Sequence, residues 1–141
     1  MILGQAQTTT FKLNVLKGLE NFDIGSPYTY KIALYNANAT LDSSTTAYTT
    51  DNEITGVGYV SGGEILTPSL GSDTSNNTAY VTFNNVTWSP ANFTAAGALI
   101  YNSTTNASVA VLNFGGVKTA AASFTIQFPV ATSTTAVIRF N

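Results

Sequence analysis

Residues 97–116 read GALIYNSTTNASVAVLNFGG. Two apolar runs, Ala98–Tyr101 and Val109–Leu112, flank a tip of Ser, Thr and Asn. Short apolar runs separated by turn formers predict a β-hairpin. The stretch carries no acid, base, thiol or imidazole. It therefore reads as scaffold: apolar strands that fill a core, joined by a neutral tip at the surface. The alternation leaves Tyr101 to face either water or a neighbouring subunit.

The same strand grammar extends outward from this hairpin. In YTYKIALY, Tyr28, Tyr30, Ile32 and Leu34 share one face, and Thr29, Lys31, Ala33 and Tyr35 the other. Residues 36–53, dense in Asn, Thr, Ser and Asp, predict a surface loop or edge, and the glycines of 54–70 predict a turn between strands. GSDTSNN at 71–77 reads as a loop, and TAYVTFNNVTW as a strand stopped by Pro90. ASFTIQF and TAVIRF close the chain as two further strands. Seven or eight short strands with turn residues between them predict an all-β fold, an antiparallel β-sandwich or jelly-roll-like barrel.

One segment breaks the pattern. In FKLNVLKGLENF, residues 11–22, the residues Phe11, Val15, Leu16, Leu19 and Phe22 recur at helical spacing, with Thr10 as N-cap. This predicts one short N-terminal helix, whose favoured role is to plug an open end of the sandwich and whose alternative is to dock on a partner. Residues 1–10, MILGQAQTTT, read as an exposed arm ahead of a single β-domain spanning 11–141.

Composition narrows the function classes. The 141-residue chain is 44% hydrophobic but only 9% charged, with a net charge of −2. Five scattered Lys and Arg form no basic footprint, so nucleic acid is not an expected partner. No apolar run reaches the roughly 18 residues of a membrane span, so no membrane partner is expected either. The start Met-Ile-Leu-Gly-Gln has neither a basic nor a long apolar region, which predicts synthesis in a cytoplasm. A weakly charged surface is more tolerable inside an assembly than on a free monomer.

Without His or Cys, the Ser-His-Asp triad and thiolate or imidazole metal sites are excluded. Asp51 and Glu53 are the one local acidic pair. Alternate positions on a strand share a face, so the pair could hold a Ca²⁺ ion or act as glycosidase carboxylates; a solvated turn is the favoured reading. Gly56-Val57-Gly58 and Gly62-Gly63 lack the Lys-Ser/Thr of a phosphate loop and read as hairpin turns. Six Asn-x-Ser/Thr sequons read as by-products of polar loops. The expectation is a non-enzymatic chain with no cofactor and no metal. Contact with a partner or a second subunit is assigned to the arm residues Ile2 and Leu3, to Phe11, and to Tyr35, Tyr48, Tyr59 and Tyr101 as exposed-face tyrosines.

The order of segments carries a resemblance. FKLNVLKGLENF is followed by YKIALYNANATLDSSTTAYT, NEITGVGYVSGGEILT, VTFNNVTWSPANFTAAGALIYN, AVLNFGG, FTIQFPV and TAVIRF. From residue 11 to 140 this order resembles a group of small virion structural proteins of tailed bacteriophages. The resemblance implies a virion component and brings no catalytic or ligand residues with it. The favoured role is a capsid decoration or cement protein on the outer head surface, with the major capsid protein and further copies of itself as partners and a trimer as the oligomer. The alternative is a tail, fibre or adhesin module that binds a host-surface glycan. A glycan hydrolase ranks last, for want of His and with a single acidic pair.

Overall fold

The computed structural model describes residues 2–141 as an all-β fold with one short helix near its N-terminus. In chain order the strands are β1 (Ile2–Leu3), β2 (Ala6–Gln7), β3 (Tyr30–Tyr35), β4 (Thr40–Leu41), β5 (Glu64–Ile65), β6 (Pro68–Asp73), β7 (Thr78–Phe83), β8 (Val86–Trp88), β9 (Phe93–Asn102), β10 (Ala107–Ala120), β11 (Phe124–Ile126) and β12 (Ile138–Phe140). The helix α1 spans Thr9–Leu16, between β2 and β3.

The opening stretch forms the centre. β9 and β10 pair as an antiparallel hairpin around a turn at 103–106, and β3 adds to the far side of β9. The resulting sheet has the order β2-β10-β9-β3-β5. Its ladder is interrupted between Ser108 and Ala110 and between Asn113 and Lys118, where β10 bulges and bends away from β9. β12-β7-β6 and β11-β8 form the opposing layer, with β7 and β8 separated only by Asn84 and Asn85.

The period-two alternation sorts the central sheet into two faces with separate cores. On the inner face Ile32, Leu34, Ala98, Ile100, Val109 and Ala110 pack with Val81, Phe83, Trp88, Ile126 and Ile138 of the opposing layer. On the outer face Ala33, Tyr35, Leu99, Tyr101 and Val111 form a second cluster with Ala39 and Leu41. The cover of this outer face is the polar stretch expected as a surface loop. Its Asn and Asp side chains satisfy their own backbone: Asn36 Oδ1 accepts from the Asn38 amide (2.8 Å) and Asp42 Oδ1 from the Ser44 amide (2.8 Å). With its polar groups met locally, the segment can lay Ala39 and Leu41 on the sheet.

The arm is likewise part of the fold rather than an exposed lead-in. β1 pairs in parallel with β4, β2 pairs with β10, and Leu3 packs on the outer-face cluster. The helix is shorter than the spacing predicts and starts earlier. Its N-cap is Thr8, whose Oγ1 accepts from the Phe11 amide at 3.1 Å, and Thr10 lies inside it. Gly18 ends it with φ 74°, and the Gly18 and Leu19 amides donate to the Val15 and Asn14 carbonyls at 3.1 and 2.8 Å. That is the paired-bond ending in which only glycine sits without strain. Leu19 and Phe22 therefore lie beyond the helix, although Phe22 still stacks on Tyr30 with centroids 4.3 Å apart. The 71–77 loop also shrinks, because β6 runs on to Asp73.

Candidate functional site

The four tyrosines and the glutamate singled out in the sequence converge on one cluster, in an unexpected role. Tyr35 and Tyr101 stand on the outer face of β3 and β9. Tyr48 lies across Tyr101 with ring centroids 4.6 Å apart. Residues 53–62 then run along the edge of β3: Glu53 bridges to Tyr35, while Ile54 and Tyr59 turn to the inner core, where Tyr59 meets Phe93 at 6.0 Å between ring centroids. The close approach requires Gly63, whose φ is 78° and where a side chain would collide with the Ile32 carbonyl.

Glu53 is the hub. Its Oε1 accepts from the Tyr48 hydroxyl (2.7 Å) and the Ser61 hydroxyl (2.9 Å). Its Oε2 accepts from the Tyr59 hydroxyl (2.6 Å) and the Gly62 amide (2.8 Å). A carboxylate offers about four lone-pair sites, and here four donors fill them. The Tyr59 hydroxyl also accepts from the Leu34 amide at 3.0 Å, so it links Glu53 to the backbone of β3. Tyr35 donates to the Thr49 carbonyl and Tyr101 to the Gly62 carbonyl, both at 2.6 Å.

Burial is the main cause that raises the pKa of all four tyrosines, with Tyr101 pushed up to about 12. Their hydroxyls stay protonated at neutral pH and so remain donors. The arrangement is suited to holding the 46–63 segment on the sheet. Asp51 does not join it: it is exposed on the turn before Glu53, with its amide bonded to Thr49 Oγ1. Among the described residues, no group of three acidic side chains is placed to hold a metal ion.

The expected contact residues thus divide. Tyr35 is 0% and Tyr101 3% exposed, which corrects their exposed-face assignment, and Phe11, at 0%, is a core residue and not an open contact. Tyr48 and Tyr59 are half-buried, with their hydroxyls committed to Glu53. A period-two pattern distinguishes two faces but does not say that one is wet, and here both are covered. The signal for this was β9 itself, FTAAGALIYN, whose apolar run lacks the polar alternation of a one-sided strand. Of the arm residues, Ile2 stays 57% exposed while Leu3 turns inward.

A different surface is apolar and open. Leu13, Leu16, Leu19 and Ile24 project from α1 and the chain that follows it; Leu16 is 84% and Ile24 98% exposed. Beside them Phe11, Val15, Phe22, Leu70 and Phe140 line a shallow groove of about 160 Å³. Four exposed large apolar side chains within one short segment are the kind of surface from which interaction sites are built. The helical spacing puts Leu16 and Leu19 on the apolar face of a longer helix; in the structure both are exposed.

A second opening lies along one side of the sandwich, between β10 and the β11–β12 segment. No helix of the described residues is long and apolar enough to cross a membrane. The molecule belongs structurally to the class of all-β, sandwich-like domains with one short helix. No protein-family model, curated protein or solved structure matches the chain.

Proposed function

We propose that the chain is a non-enzymatic structural subunit of a tailed-bacteriophage virion, bound as a decoration or cement protein to the outer surface of the head. The observation that carries this reading is the exposed apolar end formed by Leu13, Leu16, Leu19 and Ile24 on a chain with only 9% charged residues. Burial against another chain removes that surface from water at about 25 cal/mol per Å². The order of sequence segments supplies the phage assignment. The Glu53 cluster supports the structural role, because its carboxylate is spent on holding a loop rather than left with a lone pair for catalysis.

Many copies, each held by a modest apolar contact, would be retained by avidity once they are linked to one another. A closed trimer matches the local three-fold positions of a shell, with the major capsid protein beneath it. The contact is assigned to the α1 end and no longer to the tyrosines.

The test uses Leu13→Glu together with Leu16→Glu, both at exposed positions. The doubly substituted protein is expected to melt within a few degrees of the parent but to be missing from purified particles, where the parent covers the head in many copies. Unchanged occupancy would overturn the contact surface. A few copies confined to the tail would replace the cement role with the adhesin reading.

A further inference from the structure

We propose that the opening between the two sheets is a binding cleft for an extended, acidic polypeptide segment of another protein, which adds to the free strand edges there. This goes beyond the structural role and does not depend on which particle the chain occupies.

The cleft measures about 840 Å³ and runs between the outer edge of β10 and the segment carrying β11 and β12. Its walls are strand edges. β10 is paired by β2 only at Ala110 and Val111, and among the described residues no strand pairs its outer edge from Leu112 onward. β11 pairs with β8 alone and β12 with β7 alone. On β10 the Asn113 and Gly115 amides are met by Gln5 Oε1 (3.3 Å) and Asn113 Oδ1 (2.9 Å), and the backbone groups of these edges that no strand or side chain meets can template an added strand. β2 already shows that the β10 edge accepts a short one.

Side chains define what kind of strand fits. Leu112, Phe114, Phe124 and Phe128 line the cleft and are all half-buried, with Phe114 and Phe124 in contact at 6.1 Å between centroids. Alternate apolar residues of an entering strand would cover them, because successive side chains point to opposite sides. Lys118 and Arg139 also line the cleft, and none of its lining residues is acidic. Two of the five cations thus meet in one opening of a chain whose net charge is −2. Arg139 Nη1 donates to the Thr134 carbonyl at 2.6 Å, which holds the guanidinium in place and leaves further N–H groups for a carboxylate. A peptide that alternates apolar and acidic residues therefore matches the cleft in hydrogen bonding, hydrophobicity and charge, the combination by which sheet-edge binding sites recognise their targets.

The probe is a short capped peptide alternating valine and glutamate, titrated into the full chain by calorimetry and by amide chemical shifts, with the valine–lysine peptide as control. The glutamate peptide is expected to bind with a dissociation constant below ~1 mM, and the lysine peptide at least about tenfold more weakly. The shifts should concentrate at residues 112–120 and 124–126. Lys118→Glu with Arg139→Glu, both exposed, should reverse the preference and lower the melting temperature by no more than the few degrees expected for the lost Arg139–Thr134 bond. Equal affinity for the two peptides, or no shifts up to ~1 mM, would overturn the proposal. Sedimentation provides a further check: self-association of the parent that the double charge reversal abolishes would assign the cleft to a second copy and also overturn it.

Discussion

The two faces of the central sheet are covered by opposite means. The inner face meets a second sheet, and its cover is hydrocarbon and aromatic: Val81, Phe83, Trp88 and Ile138 against Ile32, Leu34 and Ile100. The outer face meets a polar segment without a strand longer than two residues, held down by hydroxyls gathered on Glu53. A tyrosine–carboxylate pair occurs on each side, which sharpens the contrast. Tyr48, packed on the outer-face cluster, donates to a Glu53 whose lone pairs are filled. Tyr30 donates to Glu20 Oε1 at 3.0 Å, while Glu20 Oε2 is buried without a partner. A polar cover works where every group is met, and the incompletely met carboxylate is the weaker device.

Leu99 and Ile100 test the comparison most directly, since they are adjacent on β9, point to opposite faces and are both fully buried. If the outer cover is a true core, Leu99→Ala and Ile100→Ala should each cost about 3 kcal/mol in denaturant unfolding. A cost below about 1 kcal/mol for Leu99→Ala would show that the polar segment lifts off and does not pack as a core.

The hub comes next in size. Glu53→Gln keeps the shape but replaces one acceptor oxygen by an NH₂ donor facing the Tyr59, Gly62 or Tyr48 groups. It should lower stability by about 2–3 kcal/mol and increase amide exchange across 46–63, with little change in β6, β7 and β12 of the opposing layer. Uniform loss of protection over both faces would mean that the covers are not independent. Smaller still, Tyr35→Phe removes only the hydroxyl bonded to the Thr49 carbonyl and should cost about 1 kcal/mol, read as a melting-temperature drop of about 3–5 °C.

The last effect is a pH slope. Burial raises the Glu20 pKa from its ordinary 4.5, against the lowering effect of the bonds from Asn102 and Tyr30. The folded chain then holds this proton more tightly than the unfolded chain. Its stability should fall as pH rises from 4.5 through the raised value, then level off. Glu20→Gln should flatten that slope in a series of melting curves; a slope of the same size in the variant would assign it elsewhere. Asp42 and Asp73 act in the opposite direction and in a different window. The Ser44 and Ser133 hydroxyls hold their pKa values below 3.8, so their contribution is lost only as pH falls below that point.

Much of the scaffold was legible because its signals are local. The β9–β10 hairpin follows from two apolar runs around Ser103–Asn106, and the face-sorting of Tyr30–Tyr35 from plain alternation. The helix was legible in kind but not in extent. Its stop at Gly18 depends on a left-handed residue that the apolar spacing on either side conceals. The tyrosines are legible as a set from their chemistry, but Tyr35 and Tyr101 lie in the interior and not on an exposed face. Glu53 pairs in the sequence with Asp51, whereas its partners in the fold are Tyr48, Tyr59, Ser61 and Gly62.

By itself, then, the chain's sequence determined the long central strands β3, β7, β9 and the start of β10, their turns and which residues share a face, since these depend on contacts a few residues apart. The short strands β1, β2 and β4 exist only through their distant partners. Tertiary structure alone decided which faces are dry. Tyr101 became an interior residue because Gly62, 39 positions away, brings its carbonyl to the hydroxyl, and because Tyr48 lies flat on the ring. Period two is a property of one strand's backbone, while burial belongs to whatever the rest of the chain lays over it.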